Sequence, residues 1–280
     1  MDYISAYKNG TEILQRAGIT EAKLDARLLL EYACGTSQSD LIAHPDRILT
    51  DEEKDCCDEY ILRRSKREPV AYILGFWEFM GLRFSVSQDV LIPEQDSEFL
   101  VEEALRYCQD GFNVLDLCTG SGCIALSILK FTNDTHALCT DISDRALSIA
   151  AKNAESLELS DRAAFLETDL FPEKGSFRAD IIVSNPPYIR SGIIDTLEPE
   201  VRDYEPRLAL DGDEDGLTFY RRIAANAGDY LYSSGYIFLE IGYDQADAVR
   251  DILESEGHFH EIEVVKDFSG NDRVVKACYY

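Results

Sequence analysis

From residue 112 to residue 185 the chain repeats one pattern: a short apolar run with an acid or an amide at or next to its end, then a stretch with helical spacing. The runs are FNVLDL (112–117), HALCTD (136–141), RAAFLETD (162–169) and ADIIVSN (179–185). SGCIALSILKFT follows the first and SDRALSIAAKNAESL the second. Strands this apolar are buried on both faces, and strands separated by helices form parallel βαβ units. GYIFLEIG (235–242), HEIEVVKD (260–267) and VVKACYY (274–280) complete a set of seven. The expected fold is α/β, a doubly wound, mainly parallel seven-stranded sheet. Such sheets bind ligands beyond the carboxyl ends of their strands.

The N-terminal quarter reads differently. Apolar residues recur at three- and four-residue spacing in YISAYKNGTEILQRAG and in AKLDARLLLEYACG, which stops at Gly35. TDEEKDCCDEYILRRSKRE opens on Thr50 as an N-cap, with acids in its first turn and bases in its last. YILGFWEFMGLRFSVSQDVLI is rich in aromatic and β-branched residues broken by Gly75 and Gly81, which suits a hairpin. The expected organisation is a small helical domain over 1–70, a β-hairpin connector over 71–92 and a catalytic domain over 93–280.

Composition removes several classes. No apolar run approaches the roughly 20 residues that cross a bilayer, and the N-terminus lacks a signal-peptide layout. A cytosolic protein with no membrane partner is expected, as a monomer. Net charge is −26, from 53 acidic and 27 basic residues, which repels a phosphate backbone. The densest basic cluster, RRSKR (63–67), reads as a solvated helix end. The eight cysteines form no CxxC pair and no histidine sits at zinc-ligand spacing, so no metal is expected. DGDEDG (211–216) imitates the front of a calcium loop, but Arg222 stands where the bidentate Glu is needed, and it reads as an acidic turn.

VLDLCTGSGCIAL (114–126) is a strand, a Gly-rich turn and a helix start. Gly120 and Gly122 allow a tight turn and a close ligand, but the third glycine of a dinucleotide fingerprint is missing. Asp141 follows about 20 residues later, where a carboxylate can hold both ribose hydroxyls. Asp169, with Leu170 and Phe171, closes the next strand; the acid can accept from an adenine amino group and the apolar pair can cover its faces. A nucleoside site without phosphates suits S-adenosylmethionine, a sulfonium cation, better than NAD.

The fourth strand delivers Asn185-Pro186-Pro187-Tyr188. The Asn185 side-chain carbonyl and the Pro186 backbone carbonyl are both acceptors, and neither proline has an N–H to donate. Two acceptors in one pocket receive an NH₂ group on a planar system, on which Tyr188 can stack. An amide nitrogen is a poor nucleophile, so fixing it and stabilising its growing positive charge is the catalysis required.

These segments together resemble the class I, S-adenosylmethionine-dependent N-methyltransferases. EPVAYILGFWEFMGLRFSVSQDVLIPEQDSE (68–98), EPEVRDYEPRLALDGDEDGLTFYRRI (198–223), FLEIGYDQADAV (238–249) and DFSGNDRVV (267–275) are similar to the release factor glutamine methyltransferase family, also called the HemK or PrmC family. The resemblance implies methylation of the glutamine side-chain amide in the Gly-Gly-Gln motif of peptide chain release factors. It implies that Asn185 and Pro186 accept from that NH₂, with Pro187 beside them and Tyr188 on the amide plane. It implies that Cys118, Thr119, Gly120, Ser121 and Gly122 line the methionine part of the cofactor. Asp141 would hold the ribose, Asp169 with Leu170 would border the adenine, Asn185 would touch the cofactor as well as the substrate, and the helical domain and connector would help dock the release factor.

Two positions depart from the family pattern. Cys118 replaces a glycine; its Cβ fits if φ is negative, and cofactor binding is expected to survive. In PEQDSE (93–98), Glu94 replaces an Arg near the expected entrance, while Ser97 and Glu98 keep the hydroxyl and the acid. Two competing readings use the same residues. An amino-methyltransferase acting on a nucleic-acid base would need a basic face and a flipped-base pocket, which the charge opposes. A non-catalytic binding protein is opposed by the intact Asn185 and Tyr188.

Overall fold

A computed structural model describes residues 1–280, and the chain forms two compact units. The first comprises Met1–Phe76 together with Glu198–Tyr204; the second comprises Trp77–Leu197 and Glu205–Tyr280.

The first unit is helical: α1 (Tyr3–Arg16), α2 (Ala22–Cys34), α3 (Gln38–Ala43), α4 (Asp51–Ser65) and α5 (Val70–Leu74). Side chains satisfy the free backbone groups at the starts of α1 and α4. Asp2 accepts from the Ser5 N–H at the start of α1. Thr50 and Glu53 exchange reciprocal hydrogen bonds at the start of α4. Gly35 closes α2 in the left-handed region that the Schellman-type stop needs. Tyr3, Leu14, Leu29, Leu30 and Ile61 fill the core. Arg63, Arg64 and Arg67 of the basic cluster are not a solvated end. Arg63 pairs with Glu68, Arg64 with Asp25 and Glu200, and Arg67 with Glu198 and Glu200. Three positive charges are thereby absorbed within the unit, two of them by the short returning segment 198–204.

A two-stranded hairpin, β1 (Phe76–Phe79) and β2 (Leu82–Ser85), starts on the last residue of the first segment of the helical unit, and the second unit continues as α6 (Glu98–Tyr107), β3 (Asn113–Leu117), α7 (Cys123–Lys130), β4 (His136–Asp141), α8 (Asp144–Ser156), β5 (Ala163–Glu167) and β6 (Ala179–Ser184). Between β6 and β7 (Leu231–Glu240) lie α9 (Pro199–Tyr204), which belongs to the helical unit, α10 (Arg207–Leu210) and α11 (Thr218–Ala227). The chain ends with α12 (Ala246–Ser255), β8 (Phe259–Lys266) and β9 (Asp272–Tyr279).

All seven expected strands form one sheet in the order β5-β4-β3-β6-β7-β9-β8. Pairing is parallel from β5 through β7, and β9 runs antiparallel to both neighbours. One face packs on α6, α7 and α8 through residues such as Leu100, Ile124 and Ala154; the other packs on α11 and α12 through Tyr220, Ile223, Val249 and Leu253. The strand order reverses between β3 and β6, so their carboxyl ends flank a crevice at the switch point. In register, Leu117 pairs with Ser184, and Ser184 with Leu239, which sets Cys118, Asn185 and Glu240 side by side just past those pairs.

Candidate active site

The carboxyl ends of β3, β4 and β6 open onto a cavity of about 340 Å³, within the range of small-ligand pockets. Cys118, Thr119, Gly120, Ser121, Asp141, Asp169, Leu170 and Asn185 all line it. Gly122 lies beneath: a Cβ there would meet Leu126 at 3.0 Å and Ala150 at 3.1 Å, so its absence seats α7 on α8.

The turn after β3 is braced from several sides. Thr119 donates its hydroxyl to Asp116 at 2.6 Å, and its N–H donates to the Thr140 carbonyl at 3.0 Å. Asn153, fully buried on α8, accepts from the Ser85 N–H and donates to the Ser121 carbonyl at 2.9 Å. Cys118 has φ +60, which corrects the expectation of a negative φ. The turn needs a left-handed residue at this point, which is why the family pattern has glycine; the thiol side chain is accommodated but its backbone is strained.

Asp141 accepts from the Gly120 N–H and from the Ser143 N–H, each at 2.9 Å. Each carboxylate oxygen keeps a further lone pair for a ligand hydroxyl. Burial pushes the carboxyl up, against the pull of those backbone donors. Asp169 differs. It is well exposed and pairs with Arg222 on α11 at 2.8 Å, and Arg222 also sits over the Phe219 ring. Leu170 has φ +71, and its carbonyl accepts from the Thr140 hydroxyl at 2.6 Å. That turn sends Phe171 away from the cavity to stack on Tyr230 at 4.6 Å, so only Leu170 of the apolar pair reaches the wall.

At the corner after β6, Asn185 and Pro187 face the cavity, while Pro186 and Tyr188 do not line it. Pro186 is buried, and Tyr188 packs against the core beside α11. Burial raises the Tyr188 phenol far above its ordinary range, so it stays protonated. Asn185 donates through Nδ2 to the Ser97 hydroxyl at 3.3 Å, which leaves Oδ1 as an unused acceptor.

The acidic turn at 211–216 has a structural task that its composition did not reveal. Residues 210–213 run beside 189–191: the Ile189 N–H donates to Leu210, Gly212 to Ile189 and Ser191 to Asp213. A Cβ at Gly216, where φ is +74, would clash with the Tyr188 carbonyl oxygen. Gln245 bridges the carbonyls of Tyr188 and Gly216 through Nε2. The corner is therefore held rigid from behind.

The cavity wall carries four acids, Asp89, Glu94, Asp141 and Asp169, against one base, Arg222, which is already paired. This field favours a cation and disfavours phosphates. Glu94, at the position where the family pattern has Arg, is one of the four. Three acids near the site are pushed up by burial, Glu240 to about 8, Asp116 to about 7 and Glu205 to about 7.

Residues 5–75 match the PrmC N-terminal domain and residues 93–198 match the methyltransferase small domain. The release factor glutamine methyltransferase of Caulobacter vibrioides is 41% identical over 274 residues, covering 97% of this chain and 94% of that protein. The protein of the same name from Clostridium acetobutylicum is 44% identical over 257 residues, covering 90% of each. The chain belongs to the release factor glutamine methyltransferase family.

A crystal structure of a methyltransferase from Pyrococcus furiosus shares the fold, with a TM-score of 0.52 at 18% identity over 71% of this chain and 89% of that one. Like the rest of its class, a release factor glutamine methyltransferase draws its methyl group from S-adenosylmethionine. The acidic cavity, the backbone turn at 118–121 and Asp141 fit that cofactor. Sequence reasoning missed Ser97, Phe219, Arg222 and Glu240 as parts of the site. An acid inside the apolar run IFLEIG was the available signal for the last of these. No helix is long and apolar enough to cross a membrane.

Proposed function

We propose that this chain transfers a methyl group from S-adenosylmethionine to the side-chain amide nitrogen of the glutamine in the Gly-Gly-Gln motif of peptide chain release factors, acting in the cytoplasm as a monomer. Bound in the cavity, the cofactor supplies an electrophilic methyl group on a sulfonium centre. The turn at Cys118, Thr119, Gly120, Ser121 and Gly122 would hold its methionine part, Asp141 its ribose, and Leu170 with Asp169 its adenine.

The observation that carries the reading is Asn185: its Nδ2 is already given to Ser97, and its Oδ1 is free at the cavity wall. That oxygen accepts one N–H of the glutamine amide and aims the nitrogen at the methyl group. The Pro186 carbonyl would offer a second acceptor and the Tyr188 ring a plane for the amide. As the nitrogen becomes positive, the two acceptors and the surrounding acids stabilise it. The amide N–H bonds already point at acceptors, so no separate base is needed before transfer. The rigid backing from Gly212, Gly216 and Gln245 keeps the acceptors in place without reorganisation.

Methyl-labelled cofactor, incubated separately with a release factor, with its Gly-Gly-Ala variant and with duplex DNA, tests this. Label is expected on the wild-type release factor alone. Label on DNA, or on the Gly-Gly-Ala variant to the same extent, contradicts it.

A further inference from the structure

Glu240 is fully buried at the carboxyl end of β7, and neither of its carboxylate oxygens has a hydrogen bond. A buried polar group without a partner is costly and calls for a reason. Its position supplies one. The register of β6 and β7 sets Glu240 beside Asn185, whose Nδ2 donates to the Ser97 hydroxyl at 3.3 Å; that hydroxyl faces the Glu240 carboxyl without a hydrogen bond formed between them.

The two orientations of an asparagine amide have the same shape, so its hydrogen-bond partners decide which is adopted. A serine hydroxyl has one hydrogen and two lone pairs. If the hydrogen turns to Asn185, the amide rotates and presents Nδ2 to the cavity, a donor facing the donor NH₂ of the acceptor substrate. If the hydrogen is taken elsewhere, the hydroxyl can only accept from Nδ2, and Oδ1 faces outward. We propose that Ser97 and Glu240 are positioning residues for methyl transfer: the Glu240 carboxylate draws the Ser97 hydrogen away from Asn185 and fixes the Asn185 amide with Oδ1 toward the substrate. This rests on Asn185 being the amide receptor.

An ionised Glu240 is an acceptor only and allows one arrangement. A protonated Glu240 can donate to Ser97 and release the serine hydrogen to Asn185, so both orientations become available. The charged and titratable groups that face Glu240 are Glu94 and Asp96 from the segment before α6, Cys123 from α7, Tyr188 from the corner, Tyr220 from α11 and Arg273 from β9. Arg273 is the one cation among them, and burial with the nearby acids outweighs it, pushing the carboxyl up to about 8. Transfer should therefore weaken toward low pH as Glu240 gains its proton.

Three variants and one titration test this in the full chain. Ser97→Ala is expected to lower kcat by about 10- to 100-fold with cofactor Kd within about threefold, and Ser97→Thr, which keeps the hydroxyl, to recover most of the loss. Glu240→Gln, which cannot ionise, is expected to lose the low-pH fall in kcat. In parallel, the Asn185 side-chain amide signals, followed by NMR, should shift with the Glu240 titration in wild type and not in Glu240→Gln. Equal loss in Ser97→Ala and Ser97→Thr, an unchanged low-pH fall in Glu240→Gln, or Asn185 signals indifferent to pH would overturn the proposal. The NMR titration needs no acceptor, so it decides this point even if the wild-type protein labels no release factor.

Discussion

In the helical unit, Arg64 is buried and meets Asp25 at 2.7 Å and Glu200 at 2.9 Å. In the sheet unit, Glu240 is buried as deeply, and its carboxylate meets no ion-pair partner or formed hydrogen bond. Both residues bear the desolvation cost of a buried charge. Arg64 recovers it through close opposite charges, two of them brought from segments far apart in sequence. Glu240 does not, and burial pushes its carboxyl up to about 8 instead. A paired buried charge ties segments together; an unpaired one beside a reactive corner remains free to change state with pH and to act on its neighbours.

The largest effect on stability is expected at the paired charge. Arg64→Ala leaves Asp25 buried without its cation and should cost about 3–5 kcal/mol in a denaturant melt of the full chain. A cost below about 1 kcal/mol, the scale of an exposed pair, would show that the pair is not effectively buried.

A pH-dependent signature of opposite kind belongs to the unpaired charge. The folded chain holds the Glu240 proton more tightly than the unfolded chain, from an ordinary 4.5 up to about 8. Its contribution to stability is therefore complete below about 4.5 and is lost as pH rises through about 8. The Tm difference, Glu240→Gln minus wild type, should move in favour of the variant between pH 5 and pH 9. Asp116 and Glu205, also raised by burial, keep their own slopes in both proteins. A Tm difference that does not change with pH would mean that Glu240 is ionised throughout.

The smallest effect is expected at the strained turn. Cys118→Gly relieves a side chain held at φ +60 but gains unfolded-chain entropy, for a net stabilisation of up to about 1 kcal/mol. Destabilisation would mean that thiol packing outweighs the backbone strain.

The same contrast explains what could be read in the sequence. The seven strands were legible because parallel strands buried on both faces are continuous apolar runs, and Thr50 and Gly35 marked helix ends through local chemistry. Asn185 and Asp141 were legible because strand ends in such a sheet converge on one edge. What escaped was non-local. Nothing in RRSKR announces that Glu198 and Glu200, more than 130 residues later in the hydrogen-bonded pairs with Arg67, will neutralise it. Gly212 and Gly216 looked like an acidic turn because their task, a close approach to the backbone at Pro187 and Tyr188, exists only in the folded chain. Cys118 was misjudged because a positive φ follows from how the turn is braced, not from its neighbours in sequence.

The central claim is that Asn185 receives the acceptor amide and does not hold the cofactor in place. Its most direct test is Asn185→Ala, with methyl transfer to a release factor and cofactor Kd measured on the same preparation. The expected result is a loss of transfer of at least about 100-fold with cofactor Kd within about threefold. Transfer within about twofold of wild type, with cofactor binding intact, would contradict the account.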